Sequence, residues 1–256
     1  MNTAEYLSRI GIDGPPIAPD EESLRVLQRQ HLLTVPFENL DIHWKRPITI
    51  DTGNFYNKIV VDRRGGFCYE LNGLFNELLQ AIGFQTRLVS ARVFNSTDFG
   101  PEFDHAAIIV TLGELEYIAD VGFGDFTAEP LRFVTDLEQR DREGVFTIFE
   151  VDHRIFEIGK KTGDVWAPRY KFADLARDLS GFAAMCDFQQ YSPDSHFTKG
   201  KVCSLMTADG RKTLTDSKFI VTRDGLKEEH AIESEQEFDR ILQAEFGIAR
   251  EKAISV

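Results

Sequence analysis

A cysteine at 68, a histidine at 105 and an aspartate at 120 are the residues of this chain whose types and order best fit an activated nucleophile. A thiolate attacks acyl carbon well. A free thiol ionises only near pH ~8.5, so it needs a local positive field or an adjacent base. The stretch Arg64-Gly65-Gly66-Phe67-Cys68-Tyr69-Glu70 offers the field. From Cys68 onward Leu71, Leu74, Phe75, Leu78, Leu79 and Ile82 recur at helical spacing, and Gly83 supplies the stop. Cys68 thus falls in a first helical turn, where unpaired amides and the helix dipole favour an anion and the thiol is expected to ionise below its usual range. Packing is the ordinary reason for a lone cysteine on an apolar helix face. The two glycines before it, which packing alone does not require, shift the reading towards chemistry.

A nucleophilic cysteine needs a base, and the base needs an orienting group. His105 opens a β-like run, His-Ala-Ala-Ile-Ile-Val, and Asp120 follows Tyr117-Ile118-Ala119 near the end of the next. If the short Gly113-Glu114 turn joins the two runs as a hairpin, His105 and Asp120 become neighbours across the ladder. The alternative is a strand-end histidine and a loop aspartate, each solvated. The other histidines have no comparable partner: His31 lies in a helical stripe at the core edge, His43 in a loop, and His153 and His230 beside acidic residues in exposed positions. Cys186 and Cys203 lie in apolar stretches and read as core thiols.

The elements that must position these groups follow from periodicity. Pro19-Asp20-Glu21-Glu22-Ser23 starts a helix carrying Leu24, Leu27, His31 and Leu32, and Val35-Pro36 ends it. After the Cys68 helix the pattern changes to segments rich in β-branched and aromatic residues: Thr86–Phe94, His105–Leu112, Leu115–Gly122, Phe146–Ile158 and Trp166–Phe172. They read as an antiparallel sheet or small barrel. A helix over about Asp178–Gln190 ends before Ser192-Pro193, and strand-like segments resume over Lys201–Thr222 around Asp209-Gly210. Ser234-x-x-Glu237 is a capping box for a closing helix with the stripe Phe238, Ile241, Leu242 and Phe246.

Composition narrows the function classes. The 256 residues carry a formal charge of −13, which argues against nucleic acid or an anionic membrane surface as partner. One stretch reverses the sign locally: Lys199, Lys201, Arg211, Lys212, Lys218 and Arg223 are opposed only by Asp209 and Asp216 within it. It is a solvated strand surface or a site for an anionic small molecule. No apolar run approaches the ~20 residues of a membrane span. The start MNTAEYLSRIG lacks the features of a secretory signal, and three scattered cysteines suggest neither a disulfide framework nor zinc, so a reducing cytoplasm is expected. The 21 phenylalanines fill cores and could also line a pocket.

Arg64-Gly-Gly-Phe-Cys68-Tyr-Glu70-Leu-Asn, Pro36-Phe37-Glu38-Asn39, Asp104-His105, Asp120-Val-Gly-Phe-Gly124-Asp and Ser192-Pro-Asp-Ser-His-Phe197 stand in the order seen in arylamine N-acetyltransferases, and the resemblance runs over nearly the whole chain. It implies an α+β fold in three parts with a catalytic core like that of cysteine proteases. Residues 1–84 would form a helical bundle bearing the nucleophile, 85–190 an antiparallel β-barrel bearing histidine and aspartate, and 191–256 an α/β lid. It further implies acetyl-CoA as co-substrate without a metal, an arylamine, hydrazine or N-hydroxyarylamine as acceptor, and Cys68, His105 and Asp120 as the triad. By position, Arg64 and Glu38 would brace the site, Phe37, Phe123 and Phe197 would line the acceptor pocket, and Gly124 would lie near CoA. A thiol protease or transglutaminase-like hydrolase uses the same triad logic and is the enzymatic rival; a non-catalytic module of the same fold is the rival of another class.

Overall fold

The computed structural model describes residues 1–14 and 17–250. Its N-terminal part comprises α1 (Thr3–Arg9), α2 (Glu21–Thr34), a short strand β1 (Phe37–Glu38), α3 (Leu40–Trp44), α4 (Thr52–Tyr56) and α5 (Cys68–Ile82). Helix α2 starts where expected: the Asp20 carboxylate accepts the Ser23 N–H at 2.8 Å. Helix α5 is capped at its far end by Gly83 at φ 111°. It is the buried axis of this part, with every residue from Cys68 to Asn76 inaccessible or nearly so. Helices α1, α3 and α4 are too short for a periodic signal; His43, expected in a loop, lies in α3.

Eight strands follow: β2 (Gln85–Val93), β3 (His105–Leu112), β4 (Leu115–Ala119), β5 (Leu131–Arg132), β6 (Gln139–Asp141), β7 (Gly144–Asp152), β8 (Ile155–Thr162) and β9 (Val165–Arg177). They form one antiparallel sheet in the order β5-β4-β3-β2-β9-β8-β7-β6, which curls into a nearly closed barrel. Inside are Val89, Ala107, Ile109, Ile118, Phe146, Ile158 and Tyr170. The opposite faces of β2, β3 and β4, through Leu88, Ala106, Ile108, Val110 and Ala119, pack on the α5 side. Burial on both faces explains why His105–Val110 is continuously apolar after its first residue rather than alternating. The run Phe146–Ile158, expected as one strand, is a hairpin of β7 and β8. Arg154 at its turn takes φ 57°, and the Asp152 carboxylate accepts the His153 N–H at 2.7 Å, a local bond that favours turning over extension. Strand β9 outruns its expected length at both ends and absorbs Pro168 at a register shift opposite Gly159.

The C-terminal part begins with α6 (Ala183–Tyr191), entered through a 3₁₀ turn at Leu179–Phe182. Strands β10 (Val202–Thr207), β11 (Gly210–Thr215), β12 (Lys218–Arg223) and β13 (Leu226–Ala231) then lead to α7 (Glu235–Phe246). The second sheet has the order β1-β10-β11-β12-β13. Phe238, Ile241, Leu242 and Phe246 of α7 close its core with Leu40, Cys203 and Leu214. Strand β13 is exposed along its length and has no apolar alternation, so nothing in its sequence pattern marks it. The whole is a three-part α+β fold. Strand β1, from the helical part, pairs Phe37 with Ser204 and Glu38 with Cys203, and so ties the first part to the last.

Candidate active site

Cys68 opens α5 and is 3% exposed. The preceding Phe67 has no side-chain oxygen with which to cap the helix, so the first-turn amides beside the thiol have no local capping acceptor. Glu70 reaches back to the Phe67 N–H at 3.1 Å, fixing the entry. Gly65 and Gly66 act differently from expectation: neither has positive φ, and both are needed for close approach. A side chain at Gly65 would strike the Pro36 carbonyl, and one at Gly66 would lie 2.8 Å from the Glu70 Cβ. Packing therefore does require these glycines, and it is the packing that seats the thiol. Gly122 presses on it from the barrel side, where a Cβ would meet the Cys68 Cα at 2.8 Å.

His105 and Asp120 meet as the spacing suggested, though diagonally. The β3–β4 register pairs Ile108 with Ala119, and β4 ends there, so Asp120 leaves the ladder two positions out of step with His105 on the same face. Asp120 Oδ2 lies 2.6 Å from His105 Nε2. Its Oδ1 accepts from Asn72 Nδ2 at 2.8 Å and from the Gly122 N–H at 2.9 Å. Every other partner of the carboxylate is a donor, so Nε2 carries the proton it gives to Asp120 and Nδ1 is left free to exchange one. Asn72 also donates to the Ala106 carbonyl at 2.6 Å and accepts the Val121 N–H at 2.9 Å, lacing α5 to both strands. Gln28 of α2 accepts the Asp120 N–H at 3.2 Å. The Tyr170 ring packs 5.4 Å from His105, and burial together with the Asp120 charge pushes its hydroxyl well above the usual phenol range.

The charge state of Cys68 departs from expectation. Burial pushes the thiol well up, the Asp104 and Asp120 charges push the same way, and a backbone hydrogen bond from Ala106 opposes them. The helix start alone therefore does not ionise it: taking an isolated thiolate out of water outweighs a partial helix charge. A thiolate here requires a cation beside it, and His105, the neighbour of Ala106, can become one by taking the proton.

Beneath the site lies a buried ionic cluster. Arg64 bridges Glu38 at 2.6 Å and Asp41 at 2.5 Å; Lys58 bridges Asp41 at 2.8 Å and Glu70 at 2.9 Å. The expected Arg64–Glu38 pair is thus part of a five-member network. Burial pushes Glu70 up to about 7 against the pull of Lys58. Arg9 adds four bonds to the carbonyls of Thr34, Ile59, Arg63 and Arg64.

Cys68 and His105 open on a pocket of about 180 Å³ whose walls include Phe37, Phe123, Phe197 and Gly124. The structure therefore brings every sequence-predicted site residue to one place, with Asp120 behind His105. Phe123 packs 5.3 Å from His105, and Phe37 and Phe197 lie 6.0 Å apart. The Phe197 carbonyl accepts from Asn39 at 3.0 Å and lies 3.0 Å from His43 Nε2. Asp104, Gln189 and His196 complete one wall, and neither periodicity nor residue type marks them for it. Asn72 and Gly122 lie in the stretches 64–72 and 120–125, where they support the triad rather than take part in it. Asn72 had a signal: a poor helix former one turn after Cys68, within an apolar stripe, is placed there for a polar task.

The basic stretch does not survive folding as a positive patch. Lys201 pairs with Asp216 and Glu235, Lys212 with Glu245, Lys218 with Glu229 and Arg223 with Asp209. Glu229, Glu235 and Glu245 arrive from beyond the segment, which a linear charge count does not see.

A thiol beside an imidazole held by a buried carboxylate, at the seam of a helical unit and an antiparallel barrel, is the arrangement of cysteine-dependent acyl-transfer and hydrolytic enzymes. The sequence model described as N-acetyltransferase matches residues 20–254. The arylamine N-acetyltransferase of Escherichia coli K12 is 33% identical, over 97% of this chain and 89% of its own length. The solved structure of the Salmonella typhimurium arylamine N-acetyltransferase superposes with a TM-score of 0.90 at 28% identity, covering 99% of this chain and 93% of that one. A Bacillus cereus arylamine N-acetyltransferase structure, described as having a Cys-His-Glu triad, superposes at 0.88 with 26% identity, over 98% of this chain and 100% of that one. The chain belongs to the arylamine N-acetyltransferase family.

Proposed function

We propose that this protein transfers acetyl from acetyl-CoA to arylamines, hydrazines or N-hydroxyarylamines by a ping-pong reaction through acetyl-Cys68. The observation that carries the reading is the buried Cys68 beside the His105–Asp120 pair at the mouth of a phenylalanine-walled pocket. In the first half-reaction His105 Nδ1 takes the thiol proton as Sγ attacks the thioester carbonyl. First-turn amides of α5 donate to the oxyanion. The C–S bond to CoA breaks, and His105 returns the proton to the departing thiolate. In the second half the amine nitrogen attacks the acetyl-cysteine carbonyl, His105 removes the N–H proton, and the Cys68 thiolate leaves. Asp120 keeps Nε2 protonated throughout and stabilises the imidazolium.

The three phenylalanines suit a flat aromatic acceptor, which gains apolar burial and edge contacts. Gly124 is exposed, with no atom within 4 Å of where a Cβ would lie, which leaves room for the CoA arm beside the thiol. Three unpaired, buried cysteines accord with a reducing cytoplasm. Initial rates with both substrates varied should give parallel double-reciprocal lines, one CoA released per acetylated amine. CoA-independent hydrolysis of a chromogenic peptide, with no amine acetylated, would favour the thiol hydrolase instead.

A further inference from the structure

The pocket wall carries one carboxylate besides the Asp120 behind His105, and neither lysine nor arginine is among its lining residues. Asp104 immediately precedes His105 and is half-buried. Its Oδ1 accepts from Gln189 Nε2 at 2.7 Å, its carboxylate takes a backbone hydrogen bond from Val93, and Oδ2 occupies the space a Cβ on Gly100 would need. Gln189 is itself 4% exposed and is held in turn by Ser195 Oγ at 2.6 Å. This carboxylate is built into the wall rather than swinging in solvent. Burial pushes its pKa above the usual carboxylate range, while His105, the Val93 bond, His196 and Gln189 pull it back and favour the charged form.

The formal charges around the pocket sum to a negative value. With Asp120 counted as a carboxylate, the triad carries one formal negative charge as thiol with neutral imidazole, as thiolate with imidazolium and as acetyl-thioester with neutral imidazole. Asp104 adds a second. His196, exposed on the rim, is the one other lining side chain able to carry positive charge besides His105. A pocket of about 180 Å³ holds little more than one substituted ring, so a ring substituent has to lie within several ångströms of one or other carboxylate.

We propose that Asp104 sets the charge preference of the acceptor subsite: among aromatic amines and hydrazines of one shape, neutral and cationic ones are acetylated in preference to those bearing a carboxylate or sulfonate. This rests on the acetyl-transfer reading above. Held in the wall by Gln189 and the Val93 backbone, Asp104 acts through its field, as a specificity-determining rather than a catalytic residue.

The test is a matched pair, 4-aminobenzamide and 4-aminobenzoate, alike in outline and different in charge. Wild-type kcat/KM should favour the amide by about tenfold or more, as expected for like charges at protein-surface dielectric, and added salt should narrow the ratio. Asp104→Asn, which keeps an acceptor for Gln189, should bring the ratio towards unity by raising benzoate turnover relative to amide. A merely structural role would slow both amines alike, and an unchanged ratio in the variant, together with a salt-independent ratio in the wild type, overturns the proposal. Failure of the wild type to acetylate either amine overturns it along with the acetyl-transfer reading; wild-type turnover of the amide separates the two failures.

Discussion

Gly122 sits where one methyl group would reach the Cys68 backbone, and so links local geometry directly to the position of the nucleophile. Gly122→Ala should lower the rate of Cys68 acetylation by about tenfold or more while costing about 1–3 kcal/mol of stability, as overpacking usually does; stopped-flow acylation and urea melts measure the two. Asp120→Asn presents an N–H where His105 or Asn72 now donates. By analogy with the same change in other triads, kcat/KM should fall by roughly 10³–10⁴-fold, with acetyl-CoA binding far less affected. At this scale the sequence was highly legible: Cys68, His105, Asp120 and the three phenylalanines converge because their motifs fall at element boundaries, where side chains leave regular structure. The ionisation of Cys68 was not legible. Helix position can be read from periodicity, but the burial that pushes the thiol up, and the Asp104 and Asp120 charges that add to it, arise only from tertiary packing.

Helices α2 and α5 meet over His31, which the stripe placed at the core edge and which is fully buried, 2.9 Å from the Tyr6 hydroxyl and packed against Phe75. Burial lowers its pKa to about 3, with the Arg9 charge adding to the effect. Since the folded value lies below the unfolded one, the unfolded chain binds more protons, and stability falls as pH drops from about 6.5 towards 3. By pH ~5 the loss from this residue should be about 2 kcal/mol. His31→Gln, which can still bond Tyr6 and does not titrate, should flatten the slope of urea midpoint against pH between ~7 and ~5; an unaltered slope would show that His31 does not drive it. Among elements, the long periodic ones were readable. Strand β13 and the β7–β8 hairpin were not, since one is exposed along its length without apolar alternation and the other turns at residues flanked by continuous β-formers.

Across the whole molecule, the helical part and the C-terminal sheet are joined by β1 and by Asn39, which donates to the Phe197 and Gly200 carbonyls and accepts the Val202 N–H at 2.8 Å. These contacts span more than 150 residues of chain, and no local pattern encodes them. Asn39→Ala should free the Phe197 wall, raising acceptor KM several-fold while Cys68 acetylation changes less, and should cost about 1–3 kcal/mol for the backbone groups left unpaired. All three parts converge on one thiol, which the proposed reaction uses as its acyl carrier. Intact-mass analysis after mixing with acetyl-CoA tests it most directly. The wild type should gain a single acetyl group, absent in Cys68→Ala and discharged on adding an arylamine; an unmodified wild-type mass at neutral pH, or an adduct that persists in Cys68→Ala, would rule out Cys68 as the carrier.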